Sequence, residues 1–260
     1  MTRRLAAVGL GLMVLMASGL FAAPEALASA GNCVSSGSNR YHAGEVVSPS
    51  TARGGTAIVQ HVEPALCTFT GSSYPTLSTS WVALTAISPT DTYNDDIYQV
   101  GFLKCQTTWS ACPTNTSNYV YAYGHEASAA CGARVSPGAV FLGASGTGTH
   151  TYAVYRHSSE SGYDYSVYIA GAEKNIRSQS ALETCWPGGP RQVKWLNEVA
   201  NLNDQSGGTT ADKEDWTYVQ YLNGGTWTNA NFLPTCQLHN LATQGCTGSG
   251  STFVTWDTRL

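Results

Sequence analysis

Charged residues are scarce in this sequence. Asp, Glu, Lys and Arg make up 12% of its 260 residues, whereas a typical soluble domain holds about 25%. The chain also has only 3 methionines, and its formal net charge of -4 provides no basic surface of the kind that binds nucleic acid. The composition therefore excludes a coiled coil, a collagen-like chain, a charged disordered tail and a nucleic-acid partner.

Helical periodicity is missing as well, and short strand-like runs take its place. No long window repeats apolar residues with the 3.6-residue period of a helix. Apolar runs alternate instead with clusters of Gly, Ser, Thr and Asn, which is typical of strands and turns. We predict strands at 56–62, 80–87, 97–104, 119–123, 139–144, 149–156, 163–170, 192–200 and 216–222. Their spacing predicts an all-β fold, an antiparallel sandwich or barrel.

The N-terminus predicts export. Arg3 and Arg4 precede an uncharged apolar stretch over 5–22, and Ala28-Ser29-Ala30 fits the small-residue rule for signal-peptide cleavage. We expect residues 1–30 to be a secretory signal peptide and the mature protein to be secreted, with no membrane attachment after cleavage. A membrane anchor is the alternative, because the stretch is nearly long enough to span a bilayer.

All eight cysteines follow the predicted cleavage site. An even number of cysteines in an exported chain predicts disulfides, and short sequence separations favour Cys105–Cys112 and Cys236–Cys246. A zinc site is the alternative. The sequence has no C-x-x-C and no two histidines at ligand spacing, so we expect no metal and no cofactor.

The domain boundaries are predicted from composition. We expect a polar N-terminal arm over 31–50, one β-sandwich domain over 51–235, and a disulfide-tied C-terminal tail over 236–260. The sequence does not indicate an oligomeric state.

Common catalytic motifs are missing too: there is no G-x-S-x-G elbow and no phosphate-binding loop, and the six histidines are scattered singly.

Two polar residues stand in the middle of predicted strands. Side chains alternate between the faces of a strand, so Gln99 shares a face with Ile97 and Leu103. Glu198 likewise shares a face with Leu196. A buried carboxylate has a raised pKa unless it is paired, so these positions are candidates for chemistry.

The order of several segments adds a second line of argument. The chain presents Ser80-Trp81-Val82, then Gln99-Val100-Gly101, a Tyr-rich strand at 119–123, a Gly-containing turn at 136–138, and Trp195-Leu196-Asn197-Glu198. In order and approximate spacing, this set resembles the glutamic peptidases of the eqolisin family. The resemblance covers roughly residues 56–230.

The resemblance implies a lectin-like or jelly-roll-like sandwich with a groove on its concave face. It implies a catalytic pair of Gln99 and Glu198, and a groove-lining Trp81. We add Tyr121 and Tyr123, from the Tyr-rich strand, as candidate substrate-binding residues. The expected activity is that of an acid-acting endopeptidase on a polypeptide substrate, in which Glu198 takes a proton from water and Gln99 stabilises the oxyanion.

Other interpretations of the same residues stay open at this point. Glu198 could be satisfied by a cation such as Arg191 or Lys194, Gln99 could merely bond a neighbouring strand, and the tryptophans could be packing residues. The chain could then be a non-catalytic sandwich that binds glycans or protein through aromatic side chains on its concave face. A glycoside hydrolase would need a second carboxylate near Glu198.

Overall fold

A computed structural model of the chain describes residues 33, 40–49, 52–68, 76–86, 96–106, 112, 118–125, 138–159, 162–174, 192–239 and 241–259. Regular structure in this part of the chain consists of β-strands. In chain order they are β1 (Tyr41–Val47), β2 (Ala52–His61), β3 (Leu77–Ala86), β4 (Asp96–Cys105), β5 (Asn118–His125), β6 (Gly138–Ala144), β7 (Gly148–Ser159), β8 (Gly162–Ile169), β9 (Ala172–Lys174), β10 (Gln192–Val199), β11 (Glu214–Asn223), β12 (Thr226–Asn229), β13 (Leu238–His239), β14 (Gln244–Ser249) and β15 (Thr252–Asp257).

The strands form two antiparallel sheets. The first sheet has the order β13-β1-β10-β3-β4-β5-β6, and the second has the order β14-β15-β11-β2-β7-β8-β9, with β12 paired to β11. This arrangement confirms the predicted all-β sandwich, and each strand predicted from the sequence is present with slightly different ends. No helix in the described part of the chain has the length and apolar character needed to span a membrane.

The segment expected to be a polar arm contains a strand instead. Residues 41–47 form β1, which pairs along its whole length with β10, from Tyr41 opposite Val199 to Val47 opposite Val193. The pattern was missed because the strand interrupts its apolar alternation with Gly44 and Glu45, both of which are buried. The C-terminal segment likewise contains β14 and β15, which extend the second sheet. The predicted signal peptide lies outside the described residues.

The main hydrophobic core lies between the sheets. Every second residue of β3, β4 and β10 faces inward, including Val82, Val100 and Trp195, and meets inward residues of β2, β7 and β11. Trp216 and Phe253 stack in this core with ring centroids 4.9 Å apart. Burial of aromatic and branched side chains is the principal force that holds such sheets together.

A buried polar cluster crosses the same interface. The Glu214 carboxylate of β11 accepts hydrogen bonds from the Ser80 hydroxyl (2.6 Å) and the Asn197 amide (3.3 Å), both in the first sheet. His61 Nδ1 of β2 lies 3.0 Å from Glu214 Oε2, the other carboxylate oxygen, and His61 Nε2 lies 3.0 Å from the Tyr152 hydroxyl. These bonds offset the cost of burying a carboxylate and fix the sheets relative to each other.

Three disulfides lie among the described residues. They join Cys105 to Cys112 and Cys236 to Cys246, as predicted, and also Cys33 to Cys67. No described cysteine is free. Cys131 and Cys185 lie outside the described residues.

Replacing Glu214 by Ala should strongly destabilise the protein, because it leaves buried donors of both sheets without their acceptor. We expect the free energy of unfolding to fall by about 3–5 kcal/mol, measured by urea denaturation. Asp215→Ala changes the exposed neighbour on the same strand and should stay within about 0.5 kcal/mol of the wild type. Equal effects of the two substitutions would contradict the assigned role of the cluster.

Glu45 should make the fold less stable as the pH rises. Burial raises its pKa to about 7, against a smaller, opposite effect of the backbone N–H of Gln237. An unfolded Glu titrates near 4.3, so the folded protein binds more protons between these values and loses stability as the pH increases through that range. Glu45→Gln stays neutral and should flatten this slope, gaining on the order of 1–3 kcal/mol at pH 8.

The measurement is the free energy of unfolding from pH 4 to pH 8. Asp215→Asn serves as the control, since Asp215 is exposed. An unchanged slope in Glu45→Gln would show that Glu45 does not take up a proton on folding.

Candidate active site

Gln99 and Glu198 project from the same face of the first sheet. Glu198 of β10 pairs with Thr79 of β3, and four residues further along β3, Ala83 pairs with Gln99 of β4. Paired residues point to the same side of a sheet, as do residues two apart on one strand. Both side chains, with Trp81 between them in the register, therefore point away from the second sheet. We call this surface the outer face of the first sheet.

The Cα atoms of Gln99 and Glu198 are far apart, but both side chains extend toward the same row of paired residues. Standard strand dimensions place their Cα atoms roughly 16 Å apart. Glu198 nevertheless contacts Trp81, and Gln99 contacts Tyr121. Trp81 and Tyr121 both pair with Gly101, from opposite sides. The two functional groups therefore converge on the row of the sheet centred on Gly101.

Gly101 is required by the close approach of β3. A Cβ atom at this position would lie 2.0 Å from the Ser80 carbonyl oxygen and 2.7 Å from the Trp81 Cα. No side chain fits there without a backbone shift. The glycine of the Gln-x-Gly motif thus keeps the rings of Trp81 and Tyr121 on either side of a position that carries no side chain.

Donors surround the Glu198 carboxylate. Its Oε2 accepts a hydrogen bond from the Trp81 indole N–H at 2.9 Å and lies 3.2 Å from His42 Nε2. Its Oε1 lies 3.1 Å from Arg40 Nε. We call Trp81, His42 and Arg40 the carboxylate clamp.

The clamp reverses the effect of burial on Glu198. Burial by itself would raise the pKa of this carboxyl. The hydrogen bond and charge of His42, the charge of Arg40 and the Trp81 N–H outweigh it, so the pKa of Glu198 is lowered below its usual value. The sequence indicated a raised pKa for an unpaired carboxylate. Glu198 is paired, and it stays ionised into acidic solution.

Gln99 is held by a chain of hydroxyl groups. Its amide Nε2 donates to the Tyr121 hydroxyl at 2.6 Å, and that hydroxyl lies 2.7 Å from Thr79 Oγ1. Thr79 Oγ1 lies 2.6 Å from the Phe102 carbonyl. A carbonyl oxygen only accepts and a hydroxyl has one proton, so Thr79 donates to Phe102 and accepts from Tyr121. Gln99 therefore has a fixed orientation, with a second amide proton left to donate elsewhere.

Exposure increases from the row of Gly101 toward the edge of β1. Trp81 and Tyr121 are 2% exposed and Gln99 is 6% exposed. The side chains of Glu198, His42 and Arg40 are 12%, 27% and 34% exposed. Access to the carboxylate is therefore from the side of His42 and Arg40. Tyr123 pairs with Gln99 in the backbone register, but its side chain lies outside what is described.

Both burial and the nearby charge of Glu198 affect the pKa of the Tyr121 hydroxyl. Burial raises the pKa of the Tyr121 hydroxyl well above its usual value, and the negative charge of Glu198 raises it further. Tyr121 is therefore a neutral hydrogen-bonding group in acidic and neutral solution. It can orient Gln99 but does not supply a base.

The serine and histidine residues that come together elsewhere do not form a nucleophilic pair. His150 Nε2 lies 3.1 Å from the Gly146 carbonyl and 3.4 Å from Ser145 Oγ. Because a carbonyl only accepts, Nε2 carries a proton and cannot take one from Ser145.

The described residues also contain no cluster of His, Cys, Asp and Glu able to hold a metal ion.

Sequence reasoning missed Arg40 and His42. His42 lies directly opposite Glu198 in the pairing of β1 with β10, whereas the cations considered from the sequence were Arg191 and Lys194. The available signal was the alternation of His42, Gly44 and Val46 with Ala43, Glu45 and Val47. Recognising a strand there would have placed a histidine in the first sheet as a candidate partner of Glu198.

Comparison with known proteins supports the fold. No protein-family model and no curated protein sequence matches the chain. The architecture is that of the glutamic-peptidase sandwich, so the resemblance stated from the motifs is confirmed at the level of the fold. The chain is similar to scytalido-glutamic peptidase, crystallised with a peptide-based transition-state analogue, at a TM-score of 0.52 and 11% sequence identity. The match covers 85% of this chain and 99% of that one.

Tyr121→Phe should destabilise the protein by removing the acceptor of the Gln99 amide. An unsatisfied buried donor costs about 1–3 kcal/mol, and we expect a loss of that size in the free energy of unfolding measured with urea. Tyr218→Phe removes a hydroxyl from a side chain that is 69% exposed and should change stability by less than about 0.5 kcal/mol. If Tyr121→Phe is as stable as Tyr218→Phe, the hydroxyl chain does not hold Gln99.

Proposed function

We propose that this protein is an endopeptidase of the glutamic type, which hydrolyses polypeptides by means of Glu198 and Gln99. The carboxylate of Glu198 accepts a proton from the water that attacks the scissile carbonyl and returns it to the leaving amine. The free amide proton of Gln99 donates to the oxyanion of the tetrahedral intermediate. The reaction needs no metal or cofactor.

One observation carries the proposal. In a fold shared with a glutamic peptidase, Gln99 and Glu198 lie on the same face and reach toward the row of Gly101. A buried structural pair would lie between the two sheets, as Glu214 and Ser80 do. A carboxylate and an amide on one face, directed toward the same row, are the two groups that a glutamic-type mechanism needs.

The contacts of Glu198 also support catalysis in acidic solution. A general base must be ionised at the working pH, and the carboxylate clamp keeps Glu198 ionised below the usual range of a glutamate. Activity at mildly acid pH therefore does not require the raised pKa that the sequence indicated.

The alternative functions gain less support from the described residues. A glycan-binding face needs exposed rings for stacking, but Trp81 and Tyr121 are buried. A glycoside hydrolase needs a second carboxylate, and the described partners of Glu198 are Trp81, His42 and Arg40. The peptidase is therefore the function that we propose.

We propose further that the mature protein works outside the cell. The N-terminal sequence has the three parts of a secretory signal, and the three described disulfides are of the kind that persists in oxidising compartments.

The test is digestion of a denatured protein substrate from pH 3 to pH 7. Glu198→Gln should abolish cleavage, because the amide keeps the shape of the carboxylate but accepts no proton. Gln99→Ala should lower kcat by about a hundredfold to a thousandfold, as loss of an oxyanion donor does.

Matched controls are available on the second sheet. Glu173→Gln and Gln60→Ala change exposed residues and should cleave like the wild type. The proposal fails if the wild type cleaves nothing across this pH range, or if Glu198→Gln retains full activity in a folded protein.

A further inference from the structure

We infer that His42 is a positioning residue for Glu198: it holds the carboxylate in its ionised form and leaves the Oε1 oxygen as the proton acceptor. The part of this inference that concerns catalysis rests on the proposed peptidase function. The protonation of Glu198 itself can be measured without any assay of activity.

The position of His42 follows from strand pairing. His42 and Glu198 are direct partners of β1 and β10, so their Cβ atoms lie about 4.5–5.5 Å apart on the outer face. The ring edge of His42 also meets Trp81, with centroids 6.1 Å apart and an interplanar angle of 85°. The backbone and the indole together therefore place the imidazole at the carboxylate.

The hydrogen bonds distinguish the two carboxylate oxygens. An ionised carboxylate has about four acceptor positions, two on each oxygen. At Oε2, both are taken by Trp81 Nε1 and His42 Nε2. At Oε1, the described partner is Arg40 Nε, which leaves one acceptor position. A proton taken from water during catalysis is therefore expected to go to Oε1.

The members of the clamp differ in what they contribute to the ionised form of Glu198. Trp81 donates a neutral N–H and Arg40 is charged at every accessible pH. His42 is the member whose hydrogen bond and charge both favour the ionised form of Glu198. Its described contacts include Glu198 on β10 and Trp81 on β3, and Arg40, just before β1, binds the other oxygen of the same carboxylate. The charges of His42 and Arg40 act on Glu198 in the same direction.

A working consequence is an acid limb of activity set by His42. With the hydrogen bond and charge of His42 in place, protonation of Glu198 requires a lower pH, so the base stays available in acidic solution. A neutral donor in place of His42 keeps a hydrogen bond to Oε2 and removes the charge. Loss of an adjacent opposite charge typically moves a carboxyl pKa by about one unit or more.

The experiment compares the wild type with His42→Gln and His42→Asn. The titration of Glu198 is followed by ¹³C NMR of glutamate labelled at the side-chain carboxyl, with Glu198→Gln used to assign the signal. We expect the midpoint of Glu198 to rise by about one pH unit in both variants. The acid limb of kcat/KM on a denatured protein substrate should shift upward by the same amount.

His150→Gln is the matched control, because His150 lies on β7 of the second sheet, and it should leave both the midpoint and the limb unchanged. Folding of each variant is checked by its thermal unfolding at pH 7. An unchanged Glu198 midpoint in folded His42→Gln and His42→Asn would overturn the inference.

The two proposals fail in different ways. A shifted NMR midpoint in a protein that cleaves nothing supports the positioning role and refutes the peptidase. Equal loss of kcat/KM at all pH values, with an unmoved acid limb and midpoint, shows a purely structural role for His42 and leaves the peptidase proposal standing.

Discussion

The bond between the two sheets at Glu214 is the constraint on which the outer face depends. Its carboxylate is fully buried and takes hydrogen bonds from Ser80 of β3 and Asn197 of β10. Those residues immediately precede Trp81 and Glu198 in the chain. Because side chains alternate along a strand, fixing Ser80 and Asn197 inward fixes their neighbours outward. The candidate site is thus held from behind by a polar contact in the core.

The loop before β11 completes this anchor and explains its glycines. A Cβ atom at Gly207 would lie 2.5 Å from Glu214 Oε2, and one at Gly208, where φ is +91°, would lie 2.6 Å from the Glu214 backbone nitrogen. The loop can close over the buried carboxylate only without side chains. Gly207 and Gly208 therefore let the loop cover the buried carboxyl group and keep water from it, which strengthens its hydrogen bonds.

Local pattern predicted the strands and the faces of Gln99 and Glu198, because both follow from alternation within one segment. It did not predict the partners of Glu198. His42 reaches that carboxylate across 156 positions of the chain, through a pairing of β1 with β10 that no local pattern records. The cluster at Glu214 was missed for the same reason: Ser80, His61 and Asn197 are unremarkable residues until long-range pairing brings them to one carboxylate.

Scarcity of charge gives the few carboxylates of this chain distinct roles. Asp204 accepts the backbone N–H groups of Cys67, Leu77 and Asn201, and Asp257 is bonded to Arg259; both side chains are fully buried. Such carboxylates tie loops to strands, and no substrate reaches them. Glu198 differs in that its own side chain is 12% exposed, whereas that of Asp257 is fully buried. A carboxylate that is held on its buried side by Trp81 and is partly open on the side of His42 and Arg40 meets a requirement of the proposed proton acceptor, which a fully buried structural carboxylate does not.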